Sequence, residues 1–275
     1  MARLKLLIAY VGTRFAGWQI QCLPSGSTAR SPQPTVQLAV EEAAAAILGH
    51  HVRVHGAGRT DSGVHAEGQV AHLDIPDDKA GIDWRRALNA KLPEDVAVLD
   101  ARIVADDFHS RFDATNKRYT YRLWLSRAFV MPQRRPFVHV TGPLDIAAMD
   151  AAAKLMTGTH DFASFQNTGT ELATTVRTVH SITRTPALPP HVFPADHNAR
   201  PDAPLELAWH FEADGFLKQM VRNMMGLLLW VGSGKCTPKQ VPAIIAACDR
   251  NLSAPTAPAC GLTMERVFYD DKVAN

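Results

Sequence analysis

Hydrophobic and polar residues follow two kinds of period along the first hundred residues of the chain. Alternation with a period of two predicts strands, and apolar positions such as Val36, Val40 and Ile47 recur with the spacing of a helix. The predicted order is strand, helix, strand, strand, helix, strand, over residues 4–10, 35–48, 51–55, 68–75, 82–92 and 96–104. This order is typical of a split βαβ, or ferredoxin-like, unit.

The rest of the chain repeats that order. Its clearest strand is 117–125, where Tyr119 and Tyr121 lie on one face and Arg118 and Arg122 on the other. Helices are predicted over 145–156, 216–231 and 237–248, and strands over 176–184, 205–211 and 262–269. We therefore predict an α+β protein with an N-terminal half, 1–110, and a C-terminal half, 111–275. Both halves are ferredoxin-like and joined into one mixed sheet with helices on one side.

Two segments depart from these periods and are predicted to be surface insertions. Residues 22–34 are rich in Ser, Thr and Pro, and residues 186–204 contain six prolines. Neither segment is expected to carry chemistry.

The composition excludes several classes of protein. It is 46% hydrophobic and 20% charged, which is ordinary for a globular protein. No apolar run approaches the roughly 18 residues of a membrane span. An apolar segment follows Met1 almost at once, so no signal peptide is expected, and the four cysteines show no CxxC spacing. These features predict a cytoplasmic protein with reduced thiols.

The net charge of +2 does not indicate a partner, but the charge is unevenly spread. Residues 111–135 contain seven basic side chains and one acid, Asp113. A local excess of this kind can bind a phosphate backbone. The alternative is a solvated basic face.

Residues 56–65 read Gly-Ala-Gly-Arg-Thr-Asp-Ser-Gly-Val-His and lie between two predicted strands. A dinucleotide-binding fingerprint would have glycine where Asp61 stands, and a helix would follow. An aspartic protease needs a second Asp-Ser/Thr-Gly, and a zinc deaminase needs a P-C-x-x-C segment that is absent here. None of these three interpretations fits.

Residues 58–65 of this segment, followed by Gly68-Gln69-Val70, resemble the active-site motif of the tRNA pseudouridine synthase A family. Five further segments resemble motifs of that family in the same order: 15–19, 107–112, 117–121, 216–223 and 255–262. Three departures stand out. Val11 stands where the family usually has aspartate, Ser110 where alanine is common, and the insertion before Thr35 is longer.

The resemblance implies an isomerase that converts uridine to pseudouridine in tRNA, with Asp61 as nucleophile. Attack at C1′, attack at C6 and deprotonation of the sugar all remain open. It further implies that Arg222 pairs with Asp61, although an arginine at a helix edge can also extend to solvent. Tyr119 would stack on the uracil, and Arg59 would fill the space of a flipped nucleotide or hold its phosphate.

An RNA-binding cleft is implied as well, with Arg111, Lys117 and Arg118 as RNA-binding residues. The expected target is the anticodon arm at uridines 38, 39 and 40, and the expected assembly is a homodimer. Neither a cofactor nor a metal is expected, and His65 is expected to be structural.

Two functions of other classes compete. A non-catalytic RNA-binding protein with two RRM-like halves would explain the basic, aromatic strand. It gives no reason for Asp61, because an acid weakens phosphate binding. A hydrolase using Asp61 and Ser62 would lack a second acid or a paired histidine.

Overall fold

The computed structural model describes residues 1–20, 34–127, 129–167, 173–186 and 206–270. It divides into two compact units. Unit 1 comprises Met1–Thr115 and Met264–Asn275, and unit 2 comprises Asn116–Thr263. The two predicted insertions lie outside the described residues, apart from Pro34 and Pro186 at their ends. The division into functional halves at residue 110 stays a prediction.

Unit 1 is built around strands in the order β4-β1-β3-β10, with β2 pairing β3. The β1–β3 and β1–β4 pairs are antiparallel. Its elements are β1 (Ala2–Tyr10), α1 (Val36–Leu48), β2 (His55–Gly56), β3 (His65–Ile75), α2 (Trp84–Asn89), β4 (Val96–Val104) and, from Met264 on, β10 (Leu262–Tyr269).

Local sequence explains the first two elements. In β1 the alternating positions Leu4, Leu6 and Ile8 are fully buried, as the period of two predicts. The helix α1 begins at a Thr35 cap, whose hydroxyl accepts the Leu38 N–H at 3.3 Å, and ends at Gly49 in a left-handed conformation.

Unit 2 has the strand order β5-β9-β8-β7, with a short β6 parallel to β5. The β5–β9, β9–β8 and β8–β7 pairs are antiparallel. Its elements are β5 (Ala114–Trp124), β6 (His139–Val140), α3 (Ile146–Leu155), β7 (Gly158–Asp161), β8 (Val176–Pro186), β9 (Glu206–Ala213), α4 (Met220–Gly232) and α5 (Val241–Ala246).

The prediction of an α+β protein with two sheet-and-helix halves is confirmed. The largest fully buried side chains of unit 2 are aromatic: Trp124, Trp209, Tyr121, Phe162, Phe165 and Phe211 are all below 2% exposed. Among the described residues, no helix has both the length and the apolar character that a membrane crossing requires.

The predicted strand over 51–55 is wrong, since only His55–Gly56 pairs with β3. The reason lies in α1. The Val54 N–H donates to the Glu41 carboxylate at 3.0 Å, and the Val54 carbonyl accepts from the Gln37 amide at 2.9 Å. Helix side chains therefore satisfy the backbone groups that a strand neighbour would have taken.

The helix predicted over 216–231 begins later, at Met220. Gln219 immediately before it has φ +62, a left-handed conformation that a helix does not continue through. The short strands β6 and β7 were not predicted, because two and four residues are too few for a periodic signal.

Candidate active site

Asp61 lies half-buried in the loop that joins β2 to β3. The Ala57 N–H donates to the Val70 carbonyl at 2.7 Å where the loop starts. The Val64 N–H donates to the Asp61 carbonyl at 3.1 Å where it ends, around Gly63 with φ +79. The carboxylate thus sits on a tight turn with both ends fixed to β3.

A second segment, residues 15–18, supports this turn through backbone hydrogen bonds. The Trp18 N–H donates to the Thr60 carbonyl at 3.1 Å. The Phe15 carbonyl accepts both the Gly63 N–H at 3.3 Å and the Ser62 hydroxyl at 3.2 Å. Thr60, Ser62 and Gly63, on either side of Asp61, are therefore held by one segment. This contact gives a structural role to the motif at 15–19.

Two glycines allow the close approach of these chains. A Cβ on Gly17, which has φ +100, would lie 2.4 Å from the Thr60 carbonyl oxygen. A Cβ on Gly12 would lie 1.9 Å from the Val64 carbonyl oxygen. No real side chain tolerates such distances, so glycine is required at both positions.

Buried polar contacts complete the support of the loop. The Tyr10 and Thr60 hydroxyls lie 2.8 Å apart, and burial raises the pKa of Tyr10. The Gln69 amide donates to the Gly58 carbonyl at 2.7 Å. The Gly12 N–H donates to Nδ1 of the buried His65 at 3.0 Å. This ring therefore links the end of the Asp61 loop to the chain just before residues 15–18.

In unit 2, Tyr119 and Tyr121 lie two positions apart on β5. Tyr119 is 7% exposed, and its ring meets Phe216 edge-on with 5.2 Å between ring centroids. Tyr121 is fully buried, its hydroxyl donates to the Pro258 carbonyl at 2.9 Å, and burial raises its pKa well above the ordinary value. The hydroxyl of Tyr121 is therefore committed to the segment 255–262.

Arg222 lies in the first turn of α4 and is half-buried. Its Nε donates to the Ala257 carbonyl at 2.8 Å, and the Ala257 N–H donates back to the Arg222 carbonyl at 3.1 Å. A Cβ on Gly226 would lie 2.1 Å from the Pro255 carbonyl oxygen, so α4 and the segment 255–262 are in close contact. The Arg222 guanidinium is therefore held against this segment, whereas an arginine that extends to solvent would have no such contact.

Beside Arg222 lies a buried polar network that sequence analysis missed. The Asn223 amide donates to the Phe165 carbonyl at 2.7 Å and to Asn167 Oδ1 at 2.9 Å, and its own oxygen accepts from Thr256 at 2.7 Å. Arg250 donates to Asn223 at 3.0 Å, and burial lowers the pKa of Arg250. A fully buried asparagine inside an apolar helix was the available signal.

The basic stretch 111–135 is partly neutralised by acids far away in the sequence. Arg118 forms an ion pair with Glu212 at 2.7 Å, and Arg134 forms one with the buried Glu206. Arg111 is exposed and Lys117 is half-buried. The sequence overstated the free positive charge of this stretch, because it does not show which acids lie on β9.

Among the described residues, no group of three or more His, Cys, Asp or Glu side chains is arranged to hold a metal ion. The roles of the site residues stay predictions. These residues are Asp61, Tyr119, Arg59, Arg222, Arg111, Lys117 and Arg118. Arg59 is exposed, two residues before Asp61 on the same loop.

Comparison with known proteins covers nearly the whole chain. The sequence profile of a family described as "tRNA pseudouridine synthase" matches residues 6–113 and 152–270. A protein of Oleidesulfovibrio alaskensis named tRNA pseudouridine synthase A is 79% identical over 99% of this chain and 98% of its own length. Proteins of the same name from Nitratidesulfovibrio vulgaris Hildenborough and Geobacillus kaustophilus are 53% and 38% identical, each over 98% of this chain and over 97% and 95% of their own lengths.

Among solved structures, a chain in the crystal structure of a Cbf5-Nop10-Gar1 complex aligns with a TM-score of 0.32 and 11% identity. The alignment covers 96% of this chain and 59% of that chain. A similarity this low supports no conclusion about the chain.

Proposed function

The chain belongs to the tRNA pseudouridine synthase family, and we propose from that premise that Asp61 is its nucleophile and the anticodon arm its target. As a member, it is an isomerase that acts on tRNA. In the reaction the C1′–N1 bond of uridine breaks, the base turns, and C1′ bonds to C5. The C5 proton leaves and N1 gains a proton, so no redox partner or group donor takes part.

The observation that carries the assignment of Asp61 is the construction of its loop. Thr60, Ser62 and Gly63 are held through backbone or hydroxyl contacts to residues 15–18, and the turn closes from Asp61 to Val64. A carboxylate fixed in this way loses little freedom when it meets the substrate, which favours a positioned nucleophile. Attack at C1′, attack at C6 and sugar deprotonation are all compatible with it.

Three other residues take the roles that the family resemblance implies. Arg222 is the cation that pairs with the Asp61 carboxylate. Tyr119 stacks on the uracil. Arg59 replaces the flipped nucleotide or holds its phosphate, because a paired base cannot be attacked inside the stack.

The remaining parts of the proposal concern the substrate and the assembly. Arg111, Lys117 and Arg118 contact the tRNA backbone, and uridines 38, 39 and 40 are the modified positions. Two copies of the chain form the working dimer in the cytoplasm, with neither metal nor cofactor.

The test of the nucleophile is Asp61→Asn. Asparagine is nearly the same size, so the chain should fold and bind tRNA, while pseudouridine formation on unmodified tRNA should fall by more than about a thousandfold. The measurements are tritium release from tRNA labelled at C5 of uridine, a binding titration and a melting curve.

The matched control is Asp78→Asn, an acid of unit 1 with a 73% exposed side chain, which should leave turnover unchanged. Residual turnover of Asp61→Asn above about one part in a thousand of the wild-type rate, with a normal melting curve, would falsify the assignment. A wild-type chain that binds tRNA and forms no pseudouridine would instead favour a non-catalytic RNA-binding protein.

A further inference from the structure

Four rings of unit 1 form a continuous column that ends at the surface. His55 stacks on His72 with 5.1 Å between ring centroids, and His72 meets His109 edge-on at 4.7 Å. His109 in turn packs on Phe112 at 4.2 Å with 31° between the ring planes. Phe112 closes the column and is 74% exposed.

The exposed ring of Phe112 adds little to the stability of the fold. Phe112 is the most exposed of the large hydrophobic side chains in the described part of the chain. A phenylalanine that stays in solvent gains little of the stabilisation that burial of its side chain would supply. Its outer ring surface is therefore available to another molecule.

Local hydrogen bonds hold the segment that presents Phe112. Nδ1 of His109 accepts the Arg111 and Phe112 N–H groups at 3.1 and 3.3 Å, and the Asp113 carboxylate accepts the His109 N–H at 2.7 Å. A surface ordered in advance loses less conformational entropy on binding.

Ser110 fixes the segment to the loop that carries Asp61. Its hydroxyl lies 2.7 Å from the His55 carbonyl and 2.9 Å from His72 Nδ1, and its carbonyl accepts the Tyr269 hydroxyl at 2.6 Å. His55 directly precedes Gly56, where the loop to Asp61 begins. Alanine at this position would lack the hydroxyl contacts.

The buried His72 inside the column is uncharged at neutral pH, and the Arg111 cation lies at the outer end of the column. Burial and the neighbouring His109, His55 and Arg3 lower the pKa of His72 to about 4, with Asp74 acting in the opposite direction. The Arg111 guanidinium is 5.7 Å from the Phe112 ring centroid and exposed. An exposed aromatic ring with an exposed cation next to it matches an unpaired nucleotide, which offers a flat base and a phosphate.

We propose that Phe112 and Arg111 form a docking point for an unpaired nucleotide of the tRNA, whose base stacks on the outer face of the Phe112 ring while its phosphate meets Arg111. The proposal rests on tRNA being the substrate. It adds a stacking contact that does not depend on the reacting uridine, so it contributes to binding and leaves the chemical step unchanged.

The test compares Phe112→Leu, Phe112→Trp and Arg111→Gln in tRNA binding at several salt concentrations. Leucine keeps the apolar volume and loses the ring, so affinity should fall about tenfold, within the range of ~1–3 kcal/mol per stacked base. The loss should be equal at every salt concentration. Tryptophan should restore affinity, and Arg111→Gln should reduce the slope of log K against log salt by about one.

A second readout separates docking from a structural role. Phe112→Leu should raise KM for tRNA and leave kcat and the melting temperature unchanged. The matched control is Leu99→Ala, another exposed apolar residue of unit 1 at 46% exposure, which should bind tRNA like wild type.

The docking point is overturned if Phe112→Leu binds tRNA with wild-type affinity, or if Phe112→Trp loses as much affinity as Phe112→Leu. It is also overturned if the loss of affinity in Phe112→Leu comes with a lower melting temperature, or if Leu99→Ala loses as much affinity. Normal turnover by a Phe112→Leu chain with unchanged KM overturns the docking point alone. A wild-type chain that binds tRNA but makes no pseudouridine overturns only the proposed function.

Discussion

Tyr119 and Tyr121 lie on the same strand face and differ in what surrounds them. Tyr119→Phe should leave the fold and the stacking on the uracil intact and strongly reduce turnover, because we propose that the Tyr119 hydroxyl reaches the proton that leaves C5. Tyr121→Phe should keep near-normal turnover and lose about 1 kcal/mol of stability, because only the bond to the Pro258 carbonyl disappears. Turnover assays and melting curves on both variants measure this. Equal loss of turnover in the two would show that the catalytic tyrosine is misassigned.

His72 predicts a pH dependence of stability. Its pKa is about 4 in the folded chain and 6.5 in the unfolded one, so the unfolded chain takes up a proton first as pH falls. The free energy of unfolding should therefore decrease from pH 6.5 to pH 4, by on the order of 3 kcal/mol, and level off below. Denaturant unfolding at each pH measures it.

The control for this prediction is His72→Asn, whose side-chain oxygen can still accept the Ser110 N–H but does not titrate. Its stability should depend less steeply on pH in this window. His109, whose pKa burial also lowers, contributes the slope that remains. An identical pH profile in the variant would contradict the role of His72.

Among the elements, the contact between residues 15–18 and the Asp61 loop depends on Gly17. Gly17→Ala should cost on the order of 1–3 kcal/mol and reduce turnover, because the Cβ meets the Thr60 carbonyl oxygen in a left-handed conformation. Gly49→Ala is the matched control, since Gly49 also has positive φ but no atom lies within 4 Å of its Cβ. It should lose stability and keep its activity per folded molecule.

Melting curves and turnover at a temperature where both variants are folded separate these effects. If both glycine variants lose turnover equally, backbone strain alone is responsible. The proposed support of the Asp61 loop by residues 15–18 would then be wrong.

For the whole molecule, the net charge of +2 means that RNA binding relies on local charge. Replacing Arg111, Lys117 and Arg127 together by glutamine should weaken tRNA binding and flatten its salt dependence. With fewer phosphate contacts, binding releases fewer counterions from the tRNA. Replacing Arg14 and Arg102, which are exposed but pair with acids, is the control and should change little. An unchanged salt slope in the triple variant would show that this stretch does not face RNA.

The sequence by itself determined the order of elements and the position of the Asp61 motif. Both are local properties: β1, β4 and β10 follow from a period of two, α1 from a period of 3.6 with a Thr35 cap, and the motif from ten adjacent residues. The family followed from motifs spread over the chain, and its profile confirms that assignment.

Tertiary structure alone decided which distant groups meet. Glu212 neutralises Arg118 from 94 positions away, Asn223 is joined to Arg250 across 27, and Ser110 reaches His55 across 55. Val54 does not extend β2 because α1 side chains take both of its backbone hydrogen bonds. Periodicity reports which face of an element is buried and not what lies against it, so these partners became visible only once the chain was folded.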